Sequence, residues 1–187
     1  MTALYPAFLK LEGLPVVVVG GGTVAASKLD GLLAAGARVT VVAPQVLDSI
    51  RARATVIEDR FRPAHLAGAR WVVAAATPAV NRDVAAAAAA RGLFVNAVDD
   101  PEVASAYLGG VVRRGPVEIA ISTGGLAPAL AGLLREALDA ILPDELERWS
   151  EIATHERASW KRDGVPIDKR RPLLLRALAR LYAGAPS

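Results

Sequence analysis

Val16-Val17-Val18-Val19-Gly20-Gly21-Gly22-Thr23-Val24-Ala25 sets an unbroken β-branched run against three glycines and the start of a helix-spaced segment. The run from Pro15 to Val19 lacks polar alternation, so both its faces are expected to be buried, as in a parallel sheet covered by helices on either side. The glycines form a G-x-G-x-x-A pattern, and each position has a mechanical reason. Gly20 permits a tight turn, Gly22 lets a pyrophosphate approach the backbone, and Ala25 is small enough for close packing of helix on strand. A phosphate placed there would rest on the helix N-terminus, where free N–H groups and the positive end of the helix dipole stabilise negative charge. Glycine-rich turns are common in loops; the strand before and the helix after make dinucleotide binding the better reading here.

Outward from this stretch the chain alternates strand and helix signals. Thr23 to Ala35 has helical spacing, with Thr23 available as a cap and Gly36 as the terminating glycine. Arg38 to Val42 reads as a second strand, Pro44 to Arg53 as a weaker helix, Thr55 to Glu58 as a short strand and Trp71 to Ala75 as another buried one. Thr77-Pro78 supplies an N-cap and a first helical residue for an alanine-rich helix that runs to Arg91, and Leu93 to Val98 makes a fifth strand. Short connections between such elements call for an α/β fold, a Rossmann-type doubly wound parallel sheet with right-handed crossovers. Residues 1–110 are read as that domain. The rhythm then changes. Tyr107 to Arg113 and Val117 to Ser122 read as strands joined at Arg114-Gly115-Pro116, followed by helices over Ala127 to Ile141, Pro143 to Arg162 and Lys169 to Leu181. Residues 111–142 are read as a dimerisation region, because the first of these helices is apolar around much of its circumference, and 143–187 as a helical C-terminal domain.

Composition narrows the function. The chain has 187 residues, 53% of them hydrophobic, and a net charge of +3. The longest charge-free run, Ile119 to Leu134, is broken by Gly124, Gly125 and Pro128 and falls short of the roughly 18 residues that span a bilayer, so no membrane partner is expected. No secretory signal pattern opens the sequence, and a cytoplasmic location is the default expectation. The absence of cysteine excludes disulfides, thiolate ligands and a cysteine nucleophile, and the two histidines, His65 and His155, have no metal-ligand spacing. No resident metal is expected. Scattered aromatics without a basic stripe argue against nucleic acid, and a mildly basic surface suits an anionic small molecule.

In open sheets of this kind the ligand lies beyond the carboxyl ends of the strands. The second strand ends at Val42-Ala43-Pro44-Gln45, without the acid that often holds ribose hydroxyls and without an adjacent arginine for a 2′-phosphate; NAD is the more economical cofactor. The fourth ends at Ala75-Ala76-Thr77 and the fifth at Asn96-Ala97-Val98-Asp99-Asp100-Pro101, both able to border a nicotinamide. If the fifth segment is extended, Asp99 and Asp100 point to opposite faces and one is a candidate base; a solvated turn explains the pair equally well. Ser122-Thr123-Gly124-Gly125 offers hydroxyls and flexible backbone before a helix, suited either to receiving carboxylates or to capping alone.

Leu11 to Pro44, Ala75-Ala76-Thr77, Val80-Asn81, Val95 to Pro101 and Ile121 to Ala131, in this order and spacing, resemble the precorrin-2 dehydrogenases, including the N-terminal module of siroheme synthases. The resemblance covers most of the chain and is far more specific than the glycine loop. It implies NAD-dependent oxidation of precorrin-2 to sirohydrochlorin in siroheme or cobalamin biosynthesis, by an intertwined homodimer. Some relatives also act as sirohydrochlorin ferrochelatases, with a ferrous or cobaltous ion as substrate. By the same resemblance Asp99 is the catalytic residue. Gly20, Gly22, Thr23, Val24, Ala25, Ala43, Pro44, Gln45, Ala76 and Thr77 fall to the cofactor, and Asn96, Ser122, Thr123, Gly124 and Gly125 to the acidic tetrapyrrole. Ser105 to Gly110 and Thr123 depart from the pattern of many relatives and bear on the shape of the substrate pocket. The competing readings are a noncatalytic NAD-sensing domain, in which Asp99 is dispensable, and a tetrapyrrole-binding protein without turnover.

Overall fold

The computed structural model describes residues 3–182. Strands β1 (Pro15–Val19), β2 (Arg38–Val42), β3 (Thr55–Ile57), β4 (Trp71–Ala74) and β5 (Val95–Ala97) form one sheet in the order β3-β2-β1-β4-β5. Every pairing is parallel, with Val19 level with Val42 on one side and with Ala74 on the other. The Rossmann-type sheet expected from the sequence is therefore present, and its order reverses between β1 and β4, the place where such sheets open a crevice.

Side chains alternate across the pleat, and this builds two cores. Val16 and Val18 join Val39, Val41 and Val73 beneath α1 (Thr23–Ala34) and α2 (Asp48–Arg51), which contribute Ala25, Leu29, Leu32 and Ile50. Val17, Val19, Val72 and Ala74 face the other way, toward Val84, Ala85 and Ala88 of α3 (Pro78–Ala89) and Leu66 of a 3-10 turn at Pro63–Leu66. Small residues on α3 let it lie close to β4 and β5.

The chain divides into two compact units. The first holds everything up to Leu108 together with Ser122–Ala127, and the second holds Gly109–Ile121 and the chain from Pro128 onward. In the second, β6 (Gly110–Arg114) and β7 (Val117–Ile121) form an antiparallel hairpin. Helix α4 (Pro128–Ile141) packs on the hairpin, and α5 (Leu146–Arg162) and α6 (Ile167–Ala179) pair with each other. Arg114 Nη1 meets Asp139 Oδ1 at 2.8 Å and fastens the hairpin to α4.

Several expected elements are shorter than their sequence patterns, each for a local reason. The helix expected over Pro44 to Arg53 forms only at Asp48–Arg51, because the preceding residues pack on the glycine loop: Leu47 N–H donates to Gly21 C=O at 3.0 Å. The fifth strand is confined to Val95–Ala97, since Leu93 N–H closes α3 on Ala88 C=O and residues 98 and 99 turn. The strand expected from Tyr107 begins at Gly110, and the Tyr107 hydroxyl instead donates to Pro101 C=O at 3.0 Å. Of the two expected threonine caps, Thr77 does occupy the cap of α3 with Pro78 as its first helical residue, though without a side-chain hydrogen bond, whereas at α1 Gly22 occupies the cap and Thr23 is already helical.

Candidate active site

Because the sheet is parallel, the exits of β1, β2, β4 and β5 share one edge. That edge brings together Gly20–Gly22, Ala43–Gln45, Ala76–Thr77 and Asp99, stretches up to roughly eighty positions apart by number and assembled by strand order alone.

The three glycines serve three different ends. Gly20 has φ +131°, its N–H donates to Val42 C=O at 3.0 Å, and a Cβ there would stand 2.2 Å from Ala75 O. A Cβ on Gly21 would stand 2.0 Å from Gln45 O. Gly22 is the opposite case: a Cβ there meets nothing within 4 Å. Behind Gly22 the first turn of α1 has no side-chain cap and no acidic residue. Open space before an uncapped helix N-terminus, walled by backbone on both flanks, fits the diphosphate of a dinucleotide. Thr23 and Val24 are exposed beside it, Val24 by 43%, while Ala25 lies beneath in the core. Pro44 and Gln45 are exposed at the end of β2, and Ala43 is buried with its N–H on Ile57 C=O at 3.2 Å. Just past β3 the Arg51 guanidinium hydrogen-bonds Glu58, which holds that exposed carboxyl below its ordinary range.

These contacts yield a stability prediction. Gly21→Ala forces the backbone at Gln45 to move and is expected to cost about 2–4 kcal/mol, the range of overpacking with added strain, read as a lower urea midpoint. An unchanged midpoint would mean that the glycine loop is not held against Gln45.

Asp99 does not lie in an extended segment, which corrects the expectation that it and Asp100 alternate across a strand. It occupies a turn with φ +57°, the one positive φ on a residue other than glycine among the described residues. The left-handed region disfavours L-residues and is tolerated best by Asp and Asn after Gly. Asp99 is exposed; Asp100 is half-buried, and its C=O accepts the Ala104 N–H at 3.2 Å.

Ser122–Ala127 returns to the unit that holds the sheet. A Cβ on Gly125, at φ +78°, would lie 2.9 Å from Pro101 Cβ and 3.1 Å from Tyr107 Cε1, so this loop sits against the segment that follows Asp99. Gly124 N–H donates to Ser122 Oγ at 3.1 Å and Ala127 N–H to Thr123 Oγ1 at 3.2 Å. Both hydroxyls are thus acceptors in local turns, and each keeps its own hydrogen to donate. Asn96 is set back from the exit edge, 7% exposed in mid-strand, with Nδ2 on Ala106 C=O at 3.0 Å and a buried Oδ1 that has no partner. No group of three or more potential metal ligands occurs among the described residues, and no helix there is long and apolar enough to cross a membrane.

Two residues at this edge escaped the site reading of the sequence. Tyr107 braces Pro101. Asn81, 2% exposed, accepts the Ala76 N–H at 2.9 Å and reaches Val98 C=O at 3.4 Å. Its signal was available: it is a polar residue on the buried stripe that α3 continues with Val84, Ala85 and Ala88.

A family model described as putative NAD(P)-binding matches residues 7–110, more than half of the chain. The chain belongs to that NAD(P)-binding family. A second model, described as sirohaem biosynthesis protein central, matches residues 114–140 of this family member. Siroheme synthase 2 of Aeromonas hydrophila subsp. hydrophila is 44% identical over 178 residues, which are 93% of this chain and 38% of that protein. The siroheme synthase of Gluconacetobacter diazotrophicus is 45% identical over 164 residues, 82% of this chain and 35% of that protein. The chain therefore spans well under half the length of these curated relatives. A solved structure named SirC, precorrin-2 dehydrogenase, superposes with a TM-score of 0.72 at 27% identity, covering 92% of this chain and 88% of that one.

Proposed function

We propose that this protein oxidises precorrin-2 to sirohydrochlorin with NAD as the acceptor. The observation that carries the reading is the shared edge: a diphosphate cradle at Gly22 and a carboxylate at Asp99 at the exits of parallel strands, in a chain similar along 92% of its length to a precorrin-2 dehydrogenase. When bound, NAD supplies the two-electron acceptor. The oxidation takes two hydrogens from the macrocycle; bound NAD would accept one with its electron pair, and the other leaves as a proton. Asp99, exposed at the exit of β5, takes that proton and passes it to solvent, so that NADH, sirohydrochlorin and one proton are formed. Gly22 and the first turn of α1 would hold the diphosphate, Pro44 and Gln45 would border the ribose, and Ala76 and Thr77 would flank the nicotinamide. The hydroxyls of Ser122 and Thr123, in the loop packed on Pro101, each have a hydrogen left to donate and are suited to the carboxylates of the tetrapyrrole.

The test is to mix purified protein with precorrin-2 and NAD under anaerobic conditions and follow absorbance. NADH and sirohydrochlorin are expected in equal amounts. Binding of NAD without any NADH formation would favour the sensing domain instead.

A second copy of the chain completes the fold on this reading. A two-stranded sheet is marginal on its own, and among the described residues the only buried apolar side chains of the second unit are Val112, Ala131 and Trp160. Along α4, Leu133 is 64% and Ile141 73% exposed, joined by Leu130 and Leu134. A homodimer that covers this stripe gives the hairpin and α4 the core they lack. Sedimentation at micromolar concentration is expected to report twice 19.5 kDa, and Leu133→Glu to shift the population toward one chain. A wild-type species of 19.5 kDa would contradict the dimer.

A further inference from the structure

We propose that Asn81 is a positioning residue that fixes the Asp99 turn relative to the loop flanking the cofactor; the inference rests on the reading of Asp99 as the base. Asn81 lies in the first turns of α3 and is 2% exposed. Its main chain belongs to the helix, with N–H on Thr77 C=O at 2.8 Å. Its side chain belongs to neither strand yet joins the exits of two. Oδ1 accepts the N–H of Ala76 at 2.9 Å, and Nδ2 points to the C=O of Val98 at 3.4 Å. The amide cannot be reversed, because its NH2 would then face the Ala76 N–H and its oxygen the Val98 carbonyl.

Val98 is consequently held at both ends. Its N–H donates to Ala74 C=O at 2.9 Å, and its C=O receives the Asn81 amide. This fixes the peptide plane entering Asp99, whose φ of +57° is a conformation that persists only where the surroundings over-determine it. Each alternative side chain fails in a different way. A carboxylate at position 81 keeps the bond to Ala76 and loses the donor for Val98, an aliphatic residue loses both, and a serine is too short to bridge the two exits.

The test compares Asn81→Ser and Asn81→Asp with the wild type in three measurements. Without any ligand, amide hydrogen exchange at residues 98–100 is expected to rise about tenfold or more in both variants, with β1 and β2 unchanged. NAD affinity of Asn81→Asp, which retains the Ala76 bond, is expected to stay within about threefold. Turnover of precorrin-2 is expected to fall about 10–100-fold with KM little changed, the scale of a misplaced catalytic group. The same substitutions made in an Asp99→Asn background are expected to lower the residual rate no further, which a general structural defect would not reproduce. Equal losses in both backgrounds, or exchange at residues 98–100 that stays at the wild-type rate, would overturn the proposal. If Asn81→Ser fails to fold, Asn81→Asp supplies all three readouts; if Asn81→Asp fails, Asn81→Ser supplies exchange and turnover, which decide the proposal. If the wild type itself does not oxidise precorrin-2, the function falls, and the exchange measurement alone decides whether Asn81 holds the turn.

Discussion

Asp99→Asn is expected to slow precorrin-2 oxidation by about 10²–10⁴-fold, the usual contribution of a positioned general base, while NAD affinity stays within about twofold. Asn is the informative replacement because it tolerates the left-handed backbone at φ +57° nearly as well as Asp, so the carboxylate is removed without moving the turn. Asp99→Ala removes the same carboxylate and adds about 1–2 kcal/mol of backbone strain, so it is expected to be at least as slow and also less stable to urea. If both variants turn over at the wild-type rate, Asp99 is not the proton acceptor and Asp100, half-buried beside it, is the next group to examine.

Gly22→Asp is expected to raise the NAD dissociation constant by more than about 100-fold while leaving the fold intact or slightly firmer. The two effects have opposite signs for one reason. A Cβ at Gly22 meets nothing of the protein within 4 Å, and the backbone there, at φ −91° and ψ −169°, is open to any L-residue. A carboxylate at this position caps α1 and meets the positive end of its dipole, worth about 0.5–1 kcal/mol. It also fills the place of the diphosphate with like charge. Loss of two charge-assisted hydrogen bonds at about 1.5–3 kcal/mol each sets the scale of the affinity change. Titration of NAD beside a thermal melt checks both halves. Unchanged NAD affinity would move the diphosphate away from this cradle. The contrast with Gly21→Ala, expected to lower the urea midpoint rather than NAD affinity, separates the glycine that shapes the loop from the one proposed to face the ligand.

The sheet was legible because its central strands β1 and β4 are buried on both faces and read as uninterrupted apolar runs, and its exits followed from the rule that parallel strands share an edge. Gly22 could be read from its motif alone as the open position before α1. Gly21 could not, since its role is contact with the main chain of Gln45, and the motif treats that position as free. The turn at Asp99 was hidden for a related reason. Val95-Asn96-Ala97-Val98 has strand composition to its end, yet the strand stops at Ala97: Val98 N–H makes one last bond to Ala74 C=O and the chain turns at residues 98 and 99. Asn81 sits inside an alanine-rich helix whose composition signals helix propensity and masks the one polar residue on its buried face. The return of Ser122–Ala127 to the sheet-bearing unit depends on Gly125 fitting against Pro101 and Tyr107, a contact between segments about twenty residues apart that no local pattern announces.

A crystal structure of Asp99→Asn saturated with NAD and precorrin-2 tests the central claim most directly. The account predicts the diphosphate against the amides at Gly22 and the first turn of α1, and the side chain at position 99 within hydrogen-bond reach of the macrocycle carbon framework or its pyrrole nitrogens. Diphosphate density elsewhere on the chain, or that side chain turned away from the tetrapyrrole, would contradict it.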